Sequence, residues 1–188
     1  MTFFDPLLDR NKDFAAAGGH RDAVLPPRHP VFVITCMDPR VDPAAFLRLD
    51  LGDAMVIRNP GGRVTPDVLQ SLAYINYLVK HLFEAEVPME VAVVHHTECG
   101  SRFLAEDAFR QGWAEIVGGD DAVLAAKAVV DPEQTVRSDV ELVRSGAAAG
   151  VPPYYTVSGH VYDVETGLVT TVVPAEPMHG ATASATIV

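Results

Sequence analysis

Val31-Phe32-Val33-Ile34-Thr35-Cys36-Met37-Asp38-Pro39-Arg40 opens as an unbroken apolar run and ends in residues that carry chemistry. Apolar and β-branched residues without polar alternation predict a strand over 31–35 that is covered on both faces, as at the centre of a parallel sheet. A second stretch repeats the pattern, because Val91-Ala92-Val93-Val94-His95 runs into His96-Thr97-Glu98-Cys99-Gly100. The chain has two cysteines, and each lies at the carboxyl end of one of these predicted strands. Two thiolates and one imidazole make a three-point zinc site with one position left for water, a set that suits catalysis better than structure.

Around these stretches strands and helices alternate. Residues 6–17 predict a helix, and residues 18–30, with Pro26, Pro27 and Pro30, an extended linker. Asp42-Pro43 is a helix start, with Asp as the cap and Pro at the first helical position. Residues 54–57 predict the second strand. It is ended by Asn59-Pro60-Gly61-Gly62, whose glycines can adopt backbone angles closed to other residues. Thr65-Pro66 repeats the helix-start signal, and Val68, Leu72, Ile75, Val79 and Leu82 form one face of a helix about five turns long, expected to pack on the sheet. A third strand over 91–95, a polar helix over 101–113, helices over 121–130 and 132–144, a fourth strand over 154–161, a turn over 163–167 and an antiparallel strand over 168–173 follow. Residues 174–188 have little to bury and are expected to be a mobile tail or to lie on a partner subunit.

This alternation predicts an α/β fold over residues 1–188 as one domain: a mainly parallel sheet of four strands plus one antiparallel edge strand, with helices on both faces. Ligands bind such sheets beyond the carboxyl ends of the strands, where the strand order reverses. If the second strand lies on one side of the first and the third on the other, Cys36, His96 and Cys99 meet in one crevice, an order that right-handed crossovers allow. In an extended chain Cys36, Asp38 and Arg40 project to one side. Asp38 can then accept a hydrogen bond from zinc-bound water or take the fourth coordination position, while the Arg40 guanidinium holds it away from the metal. His96 and Cys99 can reach a metal from a single turn, and Gly100 permits a sharp turn into the next helix.

Composition removes other classes of function. The net charge is −11 and the 14 basic residues are scattered, which argues against a nucleic acid or an anionic membrane as partner. The longest apolar stretch, near Leu72 to Val79, contains Asn76 and is followed by Lys80 and His81, too short for a membrane span. Residues 1–13 lack the basic start and apolar core of a secretion signal, so a cytoplasmic protein with reduced cysteines is expected.

The chain resembles the β-class carbonic anhydrases. Members carry Cys-x-Asp-x-Arg followed by His-x-x-Cys, matched here by Cys36, Asp38 and Arg40 and by His96 and Cys99. The similarity continues through Ile57-Arg58-Asn59-Pro60-Gly61-Gly62, Ser71-Leu72 and the segment from Gly159 to Gly167, over roughly residues 30 to 173. The resemblance implies Cys36, His96 and Cys99 as zinc ligands, Asp38 as hydrogen-bond acceptor or alternative fourth ligand, and Arg40 as its partner. It implies attack of zinc-bound hydroxide on carbon dioxide to give bicarbonate, and a homodimer or homotetramer. The short length and the His-His-Thr-acid-Cys-Gly stretch are similar to a small bacterial branch that also includes carbonyl sulfide hydrolases, so hydrolysis of carbonyl sulfide or carbon disulfide is the alternative. A non-catalytic zinc-binding homologue is the third reading.

Several positions depart from the commoner family pattern. His95 stands where many members have Gly, Pro60-Gly61-Gly62 where they have Ala-Gly-Asn, Pro27 where a pocket Gln is common, and Val33 where some members have a Trp used in bicarbonate regulation. No such regulation is expected. Bland readings stand beside the catalytic ones: Asp38 and Arg40 as a structural ion pair, and His95 facing the sheet or a subunit contact. His20, His29, His81, His160 and His179 are expected to be superficial.

Overall fold

The structure, a computed structural model, describes residues 2–178. Five strands form one sheet in the order β2-β1-β3-β4-β5: β1 (Val31–Cys36), β2 (Met55–Asn59), β3 (Glu90–His96), β4 (Thr156–Tyr162) and β5 (Val169–Pro177). β1 runs parallel to β2 and to β3, β3 runs parallel to β4, and β5 returns antiparallel along β4. The expected α/β class, sheet composition and antiparallel edge are all present. The second and third strands flank the first, so the order reverses at β1.

The helices are α1 (Asp5–Ala16), α2 (Pro43–Phe46), α3 (Pro66–Phe83), α4 (Asp107–Val117), α5 (Asp121–Ala125) and α6 (Pro132–Arg144). The predicted helix starts are caps in fact: Asp42 accepts from the Ala44 N–H, Thr65 from Val68 and Asp131 from Gln134. Side-chain alternation places Phe32, Ile34, Val91, Val93, Val157 and Val161 on one face of the sheet, where they join Val68 and Leu72 of α3 and Val136, Val140 and Val143 of α6 in the main core. The opposite face carries α2, whose Phe46 ring stacks on Tyr162 with centroids 4.5 Å apart. Helical cover is thus lopsided, with long helices on one side and a single turn on the other, while α1 buries none of its residues. No helix among the described residues is long and apolar enough to cross a membrane.

Several expectations are corrected. The apolar face of α3 packs on the sheet along only part of its length: Val68 and Leu72 are buried and Ile75 packs against them in the core, but Leu82 is 55% exposed. The expected helix over 101–113 is split into a 3-10 segment, Gly100–Ala105, and α4, because Glu106 between them is extended. Nor is α4 polar, since it exposes Phe109, Trp113 and Ile116. α5 stops at Ala125 rather than 130, and the carbonyls of Ala126 and Ala128 accept instead from the Arg63 guanidinium.

Residues 174–178 are not a tail: β5 continues to Pro177, pairing with Thr156 of β4, and the Met178 side chain enters the core. The exposed edge of β4 needs hydrogen-bond partners, and prolines are tolerated in β5 because it is an edge strand. The remainder of the predicted tail, with His179, lies outside the described residues. His160 is half-buried rather than superficial, within reach of Ser158 Oγ (2.9 Å) and Thr171 Oγ1 (3.2 Å).

Candidate metal centre

Cys36 ends β1, His96 ends β3, and Cys99 follows three residues later, so the strand order delivers all three side chains to one buried place. Their ligand atoms lie within 4.8 Å of one another, the one such group among the described residues. The sulfurs of Cys36 and Cys99 are 4.0 Å apart, too far for a disulfide. Two sulfurs each about 2.3 Å from one tetrahedral ion would stand about 3.8 Å apart, which this spacing accommodates. The His96 ring is 1% exposed, and its Nδ1 lies 2.8 Å from the Thr97 carbonyl oxygen. A carbonyl only accepts, so Nδ1 carries the proton and Nε2 keeps its lone pair. Buried Nε2 has no hydrogen-bond partner among the described residues. An orphaned acceptor beside two thiols is a donor set that fits a zinc ion.

The electrostatics agree. Cys36 is pulled down to about 4, chiefly by the hydrogen bond from Cys99 and, against the cost of burial, by the backbone groups of Asp38 and Gly61. Cys99 is pushed up by the Cys36 sulfur and by burial. One thiolate therefore opposes the second, and a divalent cation is what allows both to ionise.

The loops around the cluster are held from several directions. The chain does not stay extended past Cys36, contrary to the strand-alternation argument. Asp38 Oδ1 accepts from the Arg40 backbone N–H (2.9 Å) in a turn, and the Arg40 guanidinium folds back on the same carboxylate, Nη2 donating to Oδ2 at 2.8 Å. The turn, rather than alternation, makes the pair. Arg40 also donates to the Glu98 carbonyl and carboxylate (both 3.2 Å), joining the two cysteine stretches. Arg40 keeps the Asp38 carboxyl ionised, down at about 2, although burial opposes it.

Gly100, expected to permit a sharp turn into the next helix, has no positive φ, and an added Cβ there would meet nothing within 4 Å; the left-handed position is Glu98, before Cys99, at φ +56°. Thr97 is pinned in turn, its Oγ1 accepting from the Val164 N–H at 3.0 Å.

Sequence reasoning assigned no role to Arg58. Its guanidinium donates to the Cys36 carbonyl (3.0 Å), the Asp38 carbonyl (2.7 Å) and the Asp42 carboxylate (2.7 Å), fixing the loop that carries Asp38. His95, expected at the sheet or a subunit contact, is buried on the helix side of the sheet, where it meets Asp139 and through it Arg63. Nothing local in the sequence marks that meeting. A cavity of about 690 Å³ elsewhere, lined by Phe14, Asp22, Arg28, Leu49 and Leu51 among others, holds none of these residues.

Comparison with known proteins bears on the same residues. The carbonic anhydrase family model matches residues 31–118, a span that holds both cysteine stretches. The chain is 30% identical over 174 residues to Beta-carbonic anhydrase 1 of Mycobacterium tuberculosis, covering 93% of this chain and 100% of that protein. It belongs to the β-carbonic anhydrase family. Within the family's wider set, the chain is also 31% identical over 166 residues to the carbon disulfide hydrolase of Acidithiobacillus thiooxidans, covering 78% and 79% of the two chains. Among solved structures, the carbonic anhydrase of Streptococcus mutans superposes with a TM-score of 0.70 at 35% identity, covering 92% of this chain and 98% of that one. The β-carbonic anhydrase fold thus accounts for the sheet order that brings Cys36, His96 and Cys99 together.

Proposed function

We propose that this protein is a zinc enzyme that reversibly hydrates carbon dioxide to bicarbonate. The observation that carries the reading is the buried cluster of Cys36, His96 and Cys99, with His96 Nε2 unpartnered among the described residues. Zinc held there supplies Lewis acidity and a hydroxide nucleophile. Cys36, His96 and Cys99 are its three protein ligands. Asp38, kept ionised by Arg40, offers an acceptor that orients the nucleophile or takes the fourth position, and the fork of Arg40 holds it in place. The thiolates of Cys36 and Cys99 neutralise a dipositive ion, whereas three neutral histidines would not. Water on a zinc ion held by these residues would therefore ionise less readily than at the three-histidine site with its pKa of about 7, and the rate is expected to rise on the alkaline side of neutrality.

A second reading, hydrolysis of carbon disulfide or carbonyl sulfide by the same nucleophile, is supported by the similarity to the carbon disulfide hydrolase. The free state of both cysteines fits a cytoplasmic location. A homodimer or homotetramer is supported by α1, which leaves Phe4, Leu7, Leu8 and Phe14 exposed at its surface.

Metal analysis of the purified protein with stopped-flow carbon dioxide hydration, run beside hydrogen sulfide release from carbonyl sulfide and carbon disulfide, tests these readings. Hydration with bound zinc is the expected result. Sulfide release without hydration would favour the second reading, and bound zinc with neither activity would leave a non-catalytic homologue.

A further inference from the structure

On the helix side of the sheet, behind the metal cluster, three ionisable side chains from distant parts of the chain meet away from water. Asp139 of α6 is fully buried and accepts four N–H groups: Arg63 Nε at 2.8 Å, Arg63 Nη2 at 3.0 Å, the Val64 backbone at 3.1 Å and His95 Nε2 at 3.2 Å. Burial pushes the Asp139 carboxyl up, but His95 and Arg63 together hold it below the usual carboxylate range. The reaction proposed above uses none of these groups. Burying a charged set brings little stability that well-packed apolar side chains would not, so what it holds in place matters.

Arg63 closes the Pro60–Gly62 turn, and the Asn59 amide fastens both the N–H and the carbonyl of Arg63 at 2.8 Å. That turn lies hard against β1, where a Cβ on Gly62 would come within 2.8 Å of the Cys36 backbone nitrogen. At the other end of the network His95 immediately precedes His96. One carboxylate therefore grips both the turn behind Cys36 and the strand end that carries His96.

We propose that Asp139, with Arg63 and His95, is a positioning clamp that holds the Cys36 and His96 arms of the metal centre at their working separation. The clamp rests on the metal-centre reading given above.

The decisive variant is Asp139→Asn, which keeps the shape of the side chain but turns an amide N–H₂ toward groups that are themselves donors. Zinc affinity, measured by competition with a chromogenic chelator, is expected to fall about 10- to 100-fold, as for other groups that orient metal ligands. The thiolate-to-cobalt absorption of the cobalt-substituted protein is expected to shift. Val140→Ala, on the same helix but in the apolar core, is expected to lower the melting temperature and leave affinity and spectrum as in the parent. An Asp139→Asn protein whose zinc affinity and cobalt spectrum match the parent overturns the clamp, as does an equal loss in Val140→Ala.

If Asp139→Asn does not fold, Arg63→Lys replaces it, since an ammonium cannot span the carboxylate and the Ala126 and Ala128 carbonyls together. The same shifts are then expected, and their absence overturns the proposal. A parent that binds no zinc sinks the proposed function. In that case amide exchange in the metal-free protein still decides on the clamp: faster exchange over residues 58–64 than in Val140→Ala supports it, and equal rates overturn it.

Discussion

Glu98 occupies a left-handed backbone position, φ +56°, that non-glycine residues rarely adopt, and it does so between the two ligands of the second stretch. Arg40 holds it there through its carbonyl and carboxylate, so the residue that steadies Asp38 also presents Cys99. At this scale much of the site could be read in advance. Cys36, Asp38, Arg40, His96 and Cys99 were legible because thiol, imidazole, carboxylate and guanidinium each have few reasons to cluster at strand ends. Two single substitutions separate their roles. Cys36→Ala removes one of the three proposed ligands, and metal analysis is expected to find the protein without zinc. Asp38→Ala leaves the three ligands in place. It is expected to retain zinc while slowing turnover about 10- to 100-fold in stopped-flow assays.

Elements, rather than single residues, decide whether the loops are rigid. Arg58 of β2 reaches across to the carbonyl of Cys36 at the end of β1, to that of Asp38 in the loop after it, and to Asp42 at the start of α2. Arg58→Leu would leave both carbonyls short of a charged donor. It is expected to cost roughly 1.5–3 kcal/mol in urea unfolding, and to lower kcat with the zinc content unchanged. The Pro60–Gly62 turn is tighter still. At Gly62, φ is +66° and an added Cβ would sit 2.8 Å from backbone atoms of Thr35 and Cys36. Gly62→Ala is expected to destabilise by at least about 1–3 kcal/mol from strain alone, and to weaken zinc binding because the clash is with the ligand's own backbone.

The sequence showed a turn with two glycines at this place, but not what the turn lies against. Caps and strand cores were likewise visible, since each is signalled by neighbouring residues. Element ends were not: α5 stops early because Arg63 takes its next carbonyls, and β5 runs on because β4 offers an open edge.

Over the whole molecule, stability should fall with acid through three kinds of group: the Cys36 thiol, His160 and a set of carboxylates. Burial holds His160 below its usual value of 6.5, Glu90 opposing only weakly, so the folded state takes up this proton less readily than the unfolded state as pH falls past 6.5. Asp139, Asp38, Asp53 and Asp163 all lie below the carboxylate value of 3.8 in the folded protein. Their contribution is complete above that value and is lost as pH drops through the lowered ones, because the unfolded chain then binds more protons. Urea unfolding followed from pH 7 to pH 2 is expected to show a continuous decline, because Cys36, pulled down from 9.0 to about 4, loses its contribution as pH falls between those values. His160 adds to the decline below 6.5 and the carboxylates below 4, and a flat profile across the acid range would contradict it.

The chain by itself determined the α/β class, the candidate ligand residues and the resemblance to the family, because these depend on apolar runs, caps and residue types that are local in the sequence. Only the tertiary structure decided that β2 and β3 flank β1, that Arg58 and Arg40 tie the loops together, and that Asp139 meets Arg63 and His95. Such pairings join residues far apart along the chain, and no local pattern specifies them. They form when helix and sheet faces pack and each buried charge must find a partner.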